Sequence, residues 1–159
     1  MPISNRIILT DVDGVLLQWE KHFSEWMSAR GFTLKPGAHK KYSMIERYGI
    51  SKLVKESLIQ EFNRSAWMGT QEPMPDSQTW VKLLHAEGWT FIPITSQTMD
   101  IPAQQLRKKR LQELFGGTVF SNFFILDTGD HKDSALAEFH GTGLYWIEDK
   151  WTNAKKGLD

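Results

Sequence analysis

The chain has 159 residues, enough for one complete domain and a small insertion beside it. Nineteen basic and nineteen acidic residues give a formal net charge of zero, which speaks against a protein that lives on nucleic-acid phosphates or an anionic membrane. There is no cysteine, so disulfides, thiolate nucleophiles and cysteine-based zinc sites are excluded.

Residues 6–10 are a short β-branched and leucine run bounded by turn-formers, the pattern of a strand buried on both faces. The apolar run at the N-terminus is too short for a signal segment or a membrane span, so a soluble, cytoplasmic protein is expected. Residues 20–75 read as helices. "WEKHFSEWMSARG" places Trp19, Phe23 and Trp26 on one face, and "SKLVKESLIQEFNRSAW" places Leu53, Val54, Leu58, Ile59 and Phe62 on another. From Asp76 onward strand and helix alternate. "PDSQTWVKLLHAEG" is expected to be capped by Asp76 and to bury Trp80, Leu83 and Leu84. Equivalent strands, also buried, are expected at 89–95, 122–127 and 143–149, with helices in "IPAQQLRKKRLQELFGG" and "HKDSALAEFHG" between them. The basic cluster Arg107, Lys108, Lys109 and Arg110 reads as a solvated helix face. The alternation predicts an α/β fold: a Rossmann-like three-layer core with a parallel sheet, formed by residues 1–19 and 76–159, and a small helical cap at 20–75 inserted after the first strand.

In open α/β sheets ligands bind outside the carboxyl ends of the strands, so what each apolar run ends in is informative. The first ends in Asp11 and Asp13, the second in Thr95 and Ser96, and the fourth in Glu148 and Asp149; Lys132 follows the third after "DTGDH". "DVDG" alone fits an aspartate-rich surface turn as well as a metal-and-nucleophile corner. In an extended segment Asp11 and Asp13 face the same way, and Gly14 lets the chain turn sharply past a ligand. Four acids gathered on one rim call for a cation. With no cysteine and no paired histidines, a hard oxygen-bound ion such as Mg²⁺ fits and zinc does not. Lys132 and Thr95 suit a phosphate, one as a point charge and the other as a hydroxyl donor.

"DVDGVL", "FIPITS", Lys132 and "LYWIED" resemble the four motifs of the haloacid dehalogenase superfamily of Mg²⁺-dependent phosphohydrolases, in order and over nearly the whole chain. The resemblance implies that Asp11 is the nucleophile, forming an aspartyl-phosphate, and that Asp13 protonates the leaving oxygen and later deprotonates water. Thr95, Ser96 and Lys132 would hold the phosphoryl group. Mg²⁺ would be bound by Asp11, the Asp13 backbone carbonyl and Asp149, with Glu148 acting through water. Asn153 stands where many members carry a further acid. More narrowly, "DVDGVLLQWEKHF", "ITSQT", "FILDTGDHKD" and "WIEDK" are similar to the 5'(3')-deoxyribonucleotidase family, in which the residue at the place of Trp19 lines the base pocket. The expected activity is phosphomonoester hydrolysis of (deoxy)nucleoside monophosphates, with a small-molecule partner rather than a nucleic-acid polymer or membrane. Alternatives are another small phosphate (a sugar phosphate or a nucleic-acid 3'-phosphate end) and a phosphate-binding module without turnover.

Overall fold

Four short apolar segments pair into one all-parallel sheet in a computed structural model that describes residues 6–157. In chain order the elements are β1 (Ile7–Thr10), α1 (Trp19–Ala29), α2 (Met44–Tyr48), α3 (Lys52–Asn63), α4 (Ser77–Ala86), β2 (Thr90–Ser96), α5 (Ile101–Phe115), β3 (Phe124–Leu126), α6 (Asp133–Ala137), β4 (Tyr145–Ile147) and α7 (Trp151–Ala154). A 3-10 turn at Ala66–Gly69 follows α3. The strand order is β3-β2-β1-β4, so β1 lies inside the sheet, with Leu9 opposite Ile92 on one side and Trp146 on the other.

Alternation along the strands gives the sheet two apolar faces. Ile8 and Phe91 pack with Val81 of α4 and with Leu111 and Phe115 of α5. Leu9, Ile92 and Ile94 pack on the opposite face with Ala135 and Leu136 of α6. Helices on both faces of a parallel sheet make the three-layer, Rossmann-like α/β architecture expected of the alternating pattern. A third apolar cluster joins Phe23, Trp26 and Met27 of α1, Tyr48 of α2, Leu58 and Phe62 of α3, and Met68. Among the described residues no helix is long and apolar enough to cross a membrane.

Three local expectations are corrected. α4 buries Ser77 and Val81, while Trp80 is 60% and Leu83 55% exposed. The 3.6-residue period presents only one stripe to the sheet, and Trp80 and Leu83 lie to the side of it. Asp76 sits at the start of α4 but its side chain makes no capping bond, because its backbone (φ −105°, ψ −11°) is already helical. Asp100 does cap α5, its Oδ1 accepting the Ala103 N–H at 2.9 Å. β4 is an edge strand and is not buried on both faces: Tyr145 and Ile147 are exposed.

Phe62 is fully buried, with the rings of Phe23 at 5.4 Å, Trp19 at 5.5 Å and Trp26 at 5.6 Å. Phe62→Ala is therefore expected to destabilise the protein by about 3–5 kcal/mol, from lost burial and the cavity left behind. Urea unfolding checks this, and a loss under about 1 kcal/mol would mean the site collapses freely around the gap.

Candidate functional site

The β1 strand delivers its polar residues to the carboxyl end of the sheet. Asp11 N–H donates to the Ile147 carbonyl at 2.8 Å, extending the pairing with β4 one residue beyond β1. The Asp11 carboxylate accepts the Val12 N–H at 2.7 Å. The chain then curls back, with Leu16 and Leu17 N–H donating to the Val12 carbonyl at 2.9 and 3.0 Å. Gly14 adopts φ +78°, and a Cβ there would collide with the Asp149 carboxylate. This glycine is required twice, by its left-handed backbone and by the close approach of β4's trailing acid.

Lys132, at the start of α6, reaches under this turn. Its Nζ lies 2.8 Å from Asp11 Oδ1 and 2.8 Å from Glu148 Oε2, and 5.3 Å from the centre of the Trp146 ring. The Glu148 side chain is fully buried, and its Oε1 also accepts the Asp149 and Lys150 N–H groups at 3.1 Å. Burial would raise the Glu148 carboxyl, but its bonds with Asp11, Asp149 and Lys132 prevail and hold it down at about 2. Asp11 moves the other way: burial pushes it up to about 7, with Lys132 opposing and Glu148 reinforcing the rise. Asp149 is also raised, by burial first and then by Glu148.

Asp11, Glu148 and Asp149 each present a carboxylate oxygen, and these atoms lie within 4.8 Å of one another. The cluster can hold a metal ion. Its donors are all hard oxygens, and no histidine or cysteine takes part, so the chemistry suits an ion of the Mg²⁺ type. The oxygens of Glu148 are already engaged by one ammonium and two backbone N–H groups, whereas Asp149 is exposed beside Gly14.

The remaining residues named from the sequence fall in different settings. Thr95 is buried at the end of β2 and its hydroxyl has no hydrogen-bond partner, so it is available to a ligand oxygen. The Ser96 hydroxyl donates to the Asp130 carbonyl at 2.7 Å and braces the loop that leads to Lys132. Trp19 is half-buried at the start of α1, stacked on Phe23 at 4.9 Å, and its indole N–H donates to Asn63 Oδ1 at 2.9 Å. Asn63 in turn donates to the Gln97 carbonyl at 3.1 Å, and the Gln97 amide donates to the Asn63 carbonyl at 3.2 Å, so the end of α3 is pinned to the loop after β2. Beside this link lies a cleft of about 360 Å³, lined by Gln60 of α3 and Arg64 just after it, by 98–100 after β2, and by Asp127 and Thr128 after β3. Trp19 is not part of that lining.

Asp13 is paired with Arg107 of α5, whose guanidinium is completely buried. This overturns the reading of the 107–110 cluster as a solvated face. Lys109 does fit that reading, being exposed, but Arg107 occupies the buried stripe with Ala103, Leu111 and Phe115, and Arg110 Nε donates to the Gln71 carbonyl at 2.8 Å. The four-residue spacing Ala103, Arg107, Leu111, Phe115 was the signal in the sequence: the arginine falls in register with apolar residues. Burial pulls the Arg107 guanidinium down to about 10, opposed by the charge of Asp11, and it stays a cation at neutral pH.

No family model matches the chain, and no curated protein matches it. Among solved structures, thirteen chains match. One is the crystal structure of a hydrolase from Streptococcus pneumoniae TIGR4, with a TM-score of 0.57 and 14% identity, covering 98% of this chain and 89% of that chain. At this identity the likeness is one of fold.

Gly14→Ala is expected to cost about 1–2 kcal/mol through its left-handed backbone alone, and to weaken divalent-cation binding by displacing Asp149. Urea unfolding and calorimetric titration with Mg²⁺ check both; unchanged cation binding would remove Asp149 from the ligand set. Asp11 supplies a pH signature. Its carboxyl is neutral in both states below about pH 4, while between the ordinary value of 3.8 and about 7 the unfolded chain ionises and the folded chain resists. Without divalent cations, the stability of the wild type relative to Asp11→Asn should fall as pH rises from 4 to 7 and level off above it. Thermal unfolding at pH 4, 6 and 8 reads this, and a difference independent of pH would mean that Asp11 titrates normally.

Proposed function

We propose that the protein is a Mg²⁺-dependent phosphomonoesterase acting through an aspartyl-phosphate on Asp11, and that its substrates are (deoxy)nucleoside 5'- or 3'-monophosphates. The observation that carries the reading is the placement of Asp11: a buried carboxylate at the end of the central strand, between the Lys132 ammonium and two further acids, with the unpartnered Thr95 hydroxyl on the neighbouring strand. The sequence resemblance to the haloacid dehalogenase superfamily and the hydrolase with a similar fold point the same way.

Asp11, Asp149 and the Asp13 backbone carbonyl would hold Mg²⁺, with Glu148 acting through water. When bound, the ion supplies charge compensation for the phosphoryl oxygens and keeps Asp11 ionised. Asp11 attacks phosphorus as the bond to the leaving oxygen breaks, and Asp13 gives that oxygen its proton. Asp13 then takes a proton from the water that attacks the aspartyl-phosphate, releasing phosphate and restoring Asp11. Lys132 and Thr95 hold the phosphoryl oxygens, joined by Ser96 once its bond to Asp130 opens. Such transfer relies on positioning and charge more than on elaborate covalent chemistry, which suits a site this dense in fixed charges.

For the substrate class, residues 20–75 act as the cap, and the cleft beside α3 is large enough and polar enough for part of a nucleoside. Trp19 does not line that cleft, and its assignment to the base rests on the sequence resemblance alone. That role requires a ring face beyond the one stacked on Phe23.

The deciding experiment measures phosphate released from nucleoside monophosphates, sugar phosphates and p-nitrophenyl phosphate, with Mg²⁺ and with EDTA, beside Asp11→Asn. Expected are Mg²⁺-dependent release led by nucleotides and a loss of about 10³-fold or more in Asp11→Asn. Sugar phosphates outrunning every nucleotide would overturn the substrate class. No release from any substrate would leave a phosphate-binding module.

A further inference from the structure

Arg107 is costly for the fold. A cation in the apolar stripe of α5, between Ala103 and Leu111, loses its hydration and must recover it from partners. Asp13 is its one ion-pair partner among the described residues, through Nη2, while Nε and Nη1 are buried without a hydrogen-bond partner. A methionine of similar length would fill the same stripe without burying a charge, so packing does not account for this residue. What it meets at the rim is Asp13, just before the Gly14 turn with 27% of its side chain exposed, while Asp11 acts on it by charge without an ion-pair contact.

The geometry points to Arg107 as the positioning residue for Asp13, holding Oδ1 so that Oδ2 is presented to the leaving oxygen and then to water. This inference rests on the phosphomonoesterase reading above. In that reaction Asp13 acts twice on two different oxygens, so its carboxylate has to be held in one orientation through both steps. Arg107 engages Asp13 through Nη2 and Oδ1 alone, so the second carboxylate oxygen carries no guanidinium bond. The proton on Oδ2 goes to the leaving oxygen in the first step and is replaced by one from water in the second, so Arg107 gains and loses nothing and touches no reacting atom.

The leaving group separates this role from a purely structural one. kcat/KM reports the first chemical step, in which the alkoxide of a nucleoside needs a proton and p-nitrophenolate does not. Arg107→Met, Asp13→Asn and the double variant are compared on a deoxynucleoside monophosphate and on p-nitrophenyl phosphate. Expected is a fall in kcat/KM of about 30-fold or more on the nucleotide but under about 3-fold on the nitrophenyl ester for each single variant, with the double no worse than Asp13→Asn. Arg107→Lys should recover part of the nucleotide rate, and if the methionine variant does not fold, the same split in the lysine variant decides. Equal losses on the two substrates, or a further loss in the double variant, would overturn the inference. Urea unfolding of the same set gives a readout that needs no turnover: the losses in stability from Arg107→Met and Asp13→Asn should be less than additive, because each single variant strands the other's partner. A wild type that releases no phosphate would sink the phosphomonoesterase reading alone, and strictly additive unfolding losses would then still refute the Arg107 to Asp13 link.

Discussion

One ammonium group organises this site. Lys132 lies between Asp11 and Glu148 at equal distances of 2.8 Å, all three being buried. Three acids brought that close would repel, and the two that share Lys132 respond in opposite senses: Glu148 is held ionised by its bonds, while Asp11 is driven up by burial. The position of α6 follows from the same contact, because Lys132 is the residue at its start and Ala135 and Leu136 carry it onto the sheet. A carboxyl that burial drives up beside two other acids is one whose ionised form a bound cation would favour.

A second buried cation stands on the other face. Arg107 enters from α5 and Lys132 from α6, so helices on opposite sides of the sheet each send a positive charge to the end of β1. The two aspartates they meet are two residues apart on the same strand end, which is why a short segment of sequence can be served from both layers. Around this centre, the link from Trp19 through Asn63 to Gln97 joins the helices of the 20–75 segment to the strand that carries Thr95. The end of α3 is therefore tied by hydrogen bonds to the loop that follows that strand.

Much of the fold was legible because its signals are local. The apolar runs at β1 and β2, Gly14 after two aspartates, and Pro102 in the first turn of α5 are each decided within a few residues. The residue types at the strand ends were legible too, and Asp11, Lys132, Glu148 and Asp149 do meet, since a parallel sheet collects its loops at one end. The errors came where a helix had to choose its buried side. Trp80 and Leu83 looked like core by composition and lie on the exposed flank of α4, and Arg107 looked like surface by charge and lies in the core stripe of α5. β4 read as buried because it is apolar, but an edge strand has cover only where a helix reaches it.

What the sequence determined by itself was the order of strands and helices, the sharp turn at Gly14, and the acidic and basic residue types at the strand ends, all set by short-range periodicity and backbone sterics. Only the tertiary structure decided which charges meet. Lys132 and Glu148 are 16 residues apart and Arg107 and Asp13 are 94 apart, separations over which no local pattern carries information. Those pairings arise because burying both faces of the sheet fixes how each helix is rotated, and that rotation selects the one side chain on it that reaches the rim.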